Sequence, residues 1–252
     1  MPESIQPGQE KESRTAGLIP FREGVLHFSG AYFLSALLLL IVTGPLIDEL
    51  EHGILIESVL ITLVLFSALL AIGGRRSTLI VGSVLVIPAL AGKWMNYFRP
   101  DLAPPEIFLG AGLLFTGFVV LHLFGFILRA PRVNLEVLCT AVANYLMLAL
   151  LWAFGYTLVA GMNPHAFVVT YGDTSVDHLM RGVNSLYFSF ATLCTVGYGD
   201  IVPVSKVARM LAVTEAVVGM FYTTMLIARL VALYSSEPRP DDARSGDAGS
   251  TR

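Results

Sequence analysis

The sequence predicts an all-α membrane protein with six transmembrane helices and a short re-entrant helix and loop between the fifth and the sixth. Composition points there first: of 252 residues, 55% are hydrophobic and 14% charged, with a mean hydropathy of +0.70, far too apolar for a domain folded in water. Six apolar runs reach the roughly 20 residues that a helix needs to cross a bilayer. A further apolar run between the last two is too short to cross.

The lead, residues 1–24, is polar; its first 17 residues are expected to be disordered and 18–24 to lie at the interface. The first run, 25–47, follows some two dozen polar residues and outlasts the apolar core of a signal peptide, so it is expected to stay in the mature protein. The second run, 54–72, carries Glu57, and the third, 78–98, carries Lys93 at similar depth, which predicts a structural salt bridge. Pro88 is expected to kink the third helix. The fourth run, 106–128, contains Glu106 and His122 and is followed by Arg129, Pro131 and Arg132. The fifth run is 135–160, residues 161–177 are polar and turn-rich, and 178–193 form the short helix, with Asp177 and His178 at its start. The sixth run is 205–234, and residues 235–252 are expected to form a disordered cytoplasmic tail rather than a ligand-binding domain.

Basic loops stay cytoplasmic. Lys11, Arg14 and Arg22, then Arg75 and Arg76, then Arg129 and Arg132 all fall on one side. The opposite loops carry Asp48, Glu49, Glu51 and His52, or residues 99–105 with Arg99 as their one base. A multi-pass protein of the cell membrane follows, with both termini cytoplasmic. Lys206 and Arg209 run against the count, but their long stems reach the headgroups. The net charge of -3 resides in tails and loops and implies no nucleic-acid partner. Cys139 and Cys194 form no disulfide framework and are expected to be buried thiols. His27 and His122 are expected to be packed or interfacial, and no cluster has metal-ligand spacing.

The chemistry concentrates in Thr195-Val196-Gly197-Tyr198-Gly199-Asp200. Backbone carbonyls can replace the hydration shell of a cation if successive ones face a single axis. That requires alternating ordinary and left-handed backbone, which Gly197 and Gly199 allow without a Cβ penalty. One chain cannot close such a ring, so four must each donate a loop. Thr195 would add a hydroxyl ring at the inner end, while Val196 and Tyr198 point away from the ion and brace the loop. The short helix would aim its negative carboxyl end at the membrane centre, favouring a cation there.

From about residue 178 to 234 the chain resembles the pore of tetrameric potassium channels: a pore helix, the TVGYGD signature, Pro203, and an inner helix with a glycine about twenty residues later. The resemblance implies a homotetramer that conducts K+ passively, with K+ bound at Thr195, Val196, Gly197 and Tyr198, no other cofactor, and three identical subunits and membrane lipids as partners. It implies a four-helix bundle over 25–128 and a pore domain over 129–234. Gly219 matches the family's hinge, and helical period continues its stripe through Thr223, Ile227 and Val231 along the cavity. Tyr187 matches the pore-helix aromatic that bonds the aspartate behind the filter, here Asp200. Ala191 stands where some prokaryotic members have a glutamate, and Cys194 where a threonine is frequent, which bears on inactivation and blocker sensitivity. Glu215, one turn before Gly219, is expected to support the filter from behind the pore helix, ahead of a pH-sensing or gating role.

Six crossings with the pore last is the layout of voltage-gated channels. A sensor needs several arginines at three-residue spacing, since each charge moved through 100 mV contributes about 2.3 kcal/mol. Residues 106–128 hold none, so voltage dependence is expected to be weak or absent. The link at 129–134 is too short for an amphipathic coupling helix, which favours packing of the first four helices on their own subunit's pore. A membrane enzyme or transporter would need a catalytic cluster or paired interrupted helices, and neither is present in the sequence. The runner-up within channels is a weakly selective monovalent cation channel.

Overall fold

Stretches such as 135–162 and 105–129 are apolar around their whole circumference, the pattern of a helix surrounded by lipid or protein rather than water. In the computed structural model, which describes residues 29–47, 53–72, 76–98, 105–131, 134–170, 180 and 182–235, they are helices. The order is α1 (Ser29–Ile47), α2 (Gly53–Ala71), α3 (Arg76–Phe98), α4 (Pro105–Arg129), α5 (Leu135–Met162), β1 (Phe167–Val169), α6 (Val183–Leu193), β2 (Ile201–Pro203) and α7 (Lys206–Ser235). Among the described residues, four segments are long and apolar enough to cross a membrane: Ser77–Met95, Leu109–Arg129, Leu135–Met162 and Lys206–Ala232. The apolar stretches Gly30–Leu46 and Leu55–Ala71 are shorter.

Asn134 sets the start of α5. Its backbone is extended, and its side chain accepts from Val137 N at 2.9 Å, a cap contributing about 1 kcal/mol. Because α4 ends at Arg129 and α5 begins at Leu135, the two helices return against each other along their length. α1 also lies on α5, with α2 beside α1 and α3 between α2 and α4. Phe33 and Leu37 of α1, Val64 of α2, Phe115, Val119 and Leu123 of α4 and Met147 of α5 form the centre of this core. In lipid, burial of such side chains gains little from leaving water, so close fit holds the helices together. Small residues allow that fit: a Cβ on Gly30 would lie 2.6 Å from Thr140 Oγ1.

Lys93 and Glu57 form the expected ion pair at 3.0 Å, each about a quarter to a third exposed (26% and 30%). α3 runs through Pro88 as one helix. His122 packs on Phe118, ring centroids 6.1 Å apart. The short helix is shorter than the sequence suggests: Met180 and Gly182 lie in a turn and α6 starts at Val183. Asp177 and His178 lie outside the described residues, as do residues 1–28, His27 included, residues 236–252 and the loop residues Asp48, Glu49, Glu51, His52, Arg75, Arg99 and Arg132 that set the expected orientation, while Ser235, expected in the tail, belongs to α7.

The turn-rich stretch after α5 holds a strand. β1 pairs antiparallel with β2 in the register Phe167 to Pro203, Val168 to Val202 and Val169 to Ile201. β-branched and aromatic residues on both sides favour that pairing, and Pro203 is tolerated because the ribbon has only edges.

Candidate functional site

α6 packs against α5 and α7, burying Ser185, Phe188, Ser189, Ala191 and Leu193. Its carboxyl end is where the signature loop begins, and the loop hangs on it by backbone bonds. Thr195 N donates to Thr192 O at 2.9 Å, and Val196 N and Gly197 N both donate to Ala191 O, at 2.8 and 3.1 Å. Ala191 thus supplies a backbone acceptor that anchors the loop twice.

Left-handed backbone recurs at every second residue: φ is +57° at Thr195, +55° at Gly197 and +79° at Gly199. An added Cβ at either glycine would meet nothing within 4 Å, so it is the backbone angle, not space, that selects glycine. Thr195 is the departure from the sequence reading, which assigned left-handed angles to the glycines alone. A β-branched residue there is strained, and no rule of propensity would have placed it so; only the two-residue period of the loop signals it. Residues 194–199 are exposed in the single chain.

Asp200 is held from two sides. Tyr187 Oη donates to Asp200 Oδ2 at 2.7 Å, and Ile201 N donates to Oδ1 at 2.9 Å. The Tyr187 bond holds the Asp200 carboxyl below its ordinary 3.8, and the same bond pushes the Tyr187 phenol up to about 12. The Tyr187 ring stacks on Tyr198 at 6.1 Å and 6°, so one aromatic of α6 touches both the loop and the aspartate that follows it. The residue after β1 adds a second tie, missed in the sequence: Thr170 N donates to Asp200 O at 2.8 Å and Thr170 Oγ1 to Gly199 O at 2.9 Å. The run of β-formers at 167–170 opposite 201–203 is the signal that could have revealed it.

Behind α6, Glu215 of α7 is fully buried. It accepts from Ser189 Oγ of α6 at 2.5 Å and from Tyr156 Oη of α5, and Ser189 Oγ also lies 2.7 Å from Ala149 O. Tyr156 sits edge-on to Phe188 and Phe167, with centroids 4.8 and 5.8 Å apart. One carboxylate therefore joins the three helices that carry the loop. Gly219, one turn on, lies where a Cβ would be 2.6 Å from Leu193 O, and α7 continues through it. Its visible role is close approach to the end of α6. Thr223, Ile227 and Val231 are exposed on α7 in the single chain, and Thr223 Oγ1 bonds Gly219 O at 3.0 Å.

The cysteines are not the buried thiols expected: Cys139 is half-buried and Cys194 exposed. Cys194 terminates α6, and its Sγ lies 3.5 Å from Tyr145 Oη, which also donates to Leu193 O at 3.3 Å. Helix ends turn outward to begin a loop, and apolar neighbours in sequence do not bury them. No group of three His, Cys, Asp or Glu that could hold a metal occurs among the described residues.

A family model described as "Ion channel" matches residues 145–236, which run from mid-α5 through the loop to the end of α7. Protein LctB of Bacillus caldotenax is 37% identical over 101 residues, covering 40% of this chain and 74% of that protein. The two pore potassium channel c of Oryza sativa subsp. japonica is 32% identical over 88 residues, 35% of this chain and 18% of the relative. Voltage-gated potassium channel Kch of Escherichia coli (strain K12) is 28% identical over 216 residues, 82% of this chain and 46% of its own length. With apolar helices flanking the matched loop, the chain is a membrane protein and belongs to the ion channel family, and potassium channels are among the relatives it is similar to.

Proposed function

We propose that four copies of this chain form a K+-selective pore, each giving Thr195, Val196, Gly197, Tyr198 and Gly199 to one filter on the common axis. The observation that carries this is the left-handed backbone at Thr195, Gly197 and Gly199. Alternation of that kind is what lets successive carbonyls face one side, and the loop is exposed in the single chain. In this reading α1–α5 and α7 are six crossings and α6 a re-entrant pore helix. Both termini are cytoplasmic and lipid covers the outer helices. Tyr187, Asp200, Cys194 and Glu215 support the filter, and Thr223 and Ile227 below Gly219 line the cavity.

The same reading makes gating by voltage weak. α4 carries Arg129 at its last turn and no ladder of arginines within its span, and α1 and α4 lie on α5 of their own chain. Purified protein in liposomes tests the proposal through bi-ionic reversal potentials and the mass of the assembly. K+ over Na+ selectivity with a four-chain mass is expected. A reversal potential indifferent to replacing K+ by Na+ would favour the weakly selective cation channel, and any other stoichiometry would overturn the filter itself.

A further inference from the structure

Gly199 O, the outermost carbonyl of the signature, accepts a hydroxyl. Thr170 Oγ1 reaches it at 2.9 Å, while the amide of the same residue donates to Asp200 O at 2.8 Å. Thr170 directly follows Val169, which pairs with Ile201, so the short ribbon fixes where that hydroxyl sits. A carbonyl oxygen has two lone pairs. One given to a hydroxyl leaves the other for an ion, and the donor's positive hydrogen lies beside the cation that the oxygen would coordinate.

We propose that Thr170 is a positioning residue for the outermost ion site. Its hydroxyl holds the Gly199 peptide against rotation and weakens the field that Gly199 O exerts on a cation, so that an ion arriving at the mouth leaves readily to the outside. Conduction needs such a compromise, since a site that binds too well blocks the ions behind it. The inference rests on the reading of residues 195–199 as the ion-coordinating loop.

The test uses the full chain reconstituted in planar bilayers, comparing Thr170→Val, which keeps the shape and removes the donor, with Thr170→Ser, which keeps the donor. The probe is external Cs+ block, with internal tetraethylammonium block as the control at the far end of the pore. Loss of one hydrogen bond predicts about fivefold tighter external Cs+ block in Thr170→Val. Thr170→Ser should stay near wild type and internal block should be the same in all three. Thr170→Ala gives the same comparison where the valine variant does not assemble.

Unchanged Cs+ block in Thr170→Val, equal behaviour of the serine and valine variants, or a parallel change in internal block would each overturn the inference. So would failure of both donor-free variants to assemble, since the hydroxyl would then serve assembly. Wild-type currents without K+ selectivity would instead overturn the filter reading on which it stands.

Discussion

At the scale of single residues, the loop's conformation makes sharp demands. A Cβ at φ near +55° or +79° costs about 1–2 kcal/mol per chain, and four copies would multiply it around the ring. Gly197→Ala and Gly199→Ala are therefore expected to abolish K+ selectivity in liposome flux assays while leaving the helices of the isolated chain intact by circular dichroism. Tyr187→Phe keeps the ring on Tyr198 and deletes the bond to Asp200. Because Asp200 titrates below its ordinary 3.8 in the folded protein, the clamp is at full strength above 3.8 and is lost as the pH falls through the lowered value. In Tyr187→Phe the carboxyl should protonate at higher pH, so current loss on acidifying the outer solution should begin at higher pH than in wild type. Identical acid profiles would show that the phenol does not set the state of Asp200.

At the scale of elements, α5, α6 and α7 meet at Glu215, where two hydroxyls donate to one carboxylate. Glu215→Leu leaves the Tyr156 hydroxyl without its acceptor, whereas Ser189 keeps Ala149 O, and a loss of about 1–3 kcal/mol for the one group left unsatisfied is expected. The melting temperature of the detergent-solubilised assembly should fall further in Glu215→Leu than in Glu215→Gln, which retains one acceptor oxygen. Equal melting points would remove the carboxylate from the scaffold. The end of α7 is tied as well: Arg229 Nη2 donates to Ala130 O at 2.8 Å, just past α4. Arg229→Met should cut this link between α7 and the α4–α5 connection and, under the proposed function, shift single-channel open probability without moving the reversal potential.

Which of these ties could be foreseen follows from their physics. The helices, the Glu57–Lys93 pair and the meeting of Tyr187 with Asp200 were legible, because long apolar runs, matched depth and a motif at fixed spacing each constrain the answer locally. Pairing of Phe167–Val169 with Ile201–Pro203 was not, since strands of three residues leave no period to read and the partners lie more than thirty positions apart. Left-handed Thr195 and the bonds of Glu215 to Tyr156 and Ser189 depend on three-dimensional neighbours that no window of sequence contains.

At the scale of the whole molecule, α1 and α4 lie on α5, whereas α7 shows Val207, Met210, Val213, Met220, Phe221 and Met225 on its surface, each more than half exposed. Large apolar side chains are exposed on α1, α3 and α4 as well, among them Val42, Ile80, Ile87 and Leu121, so the proposed assembly requires lipid to cover the outer helices and neighbouring copies to cover α7. With no arginine ladder within α4, currents in planar bilayers are expected to vary only gently between -100 and +100 mV, the range over which each gating charge would contribute about 2.3 kcal/mol per 100 mV. A steep sigmoid would assign these helices a sensing role. The loop of one chain, open along residues 194–199, also has a genetic consequence under the proposed assembly. A copy with a ruined loop still offers an intact α7 to its neighbours, so it would be recruited and would silence the healthy copies around it, making such an allele dominant over the wild type.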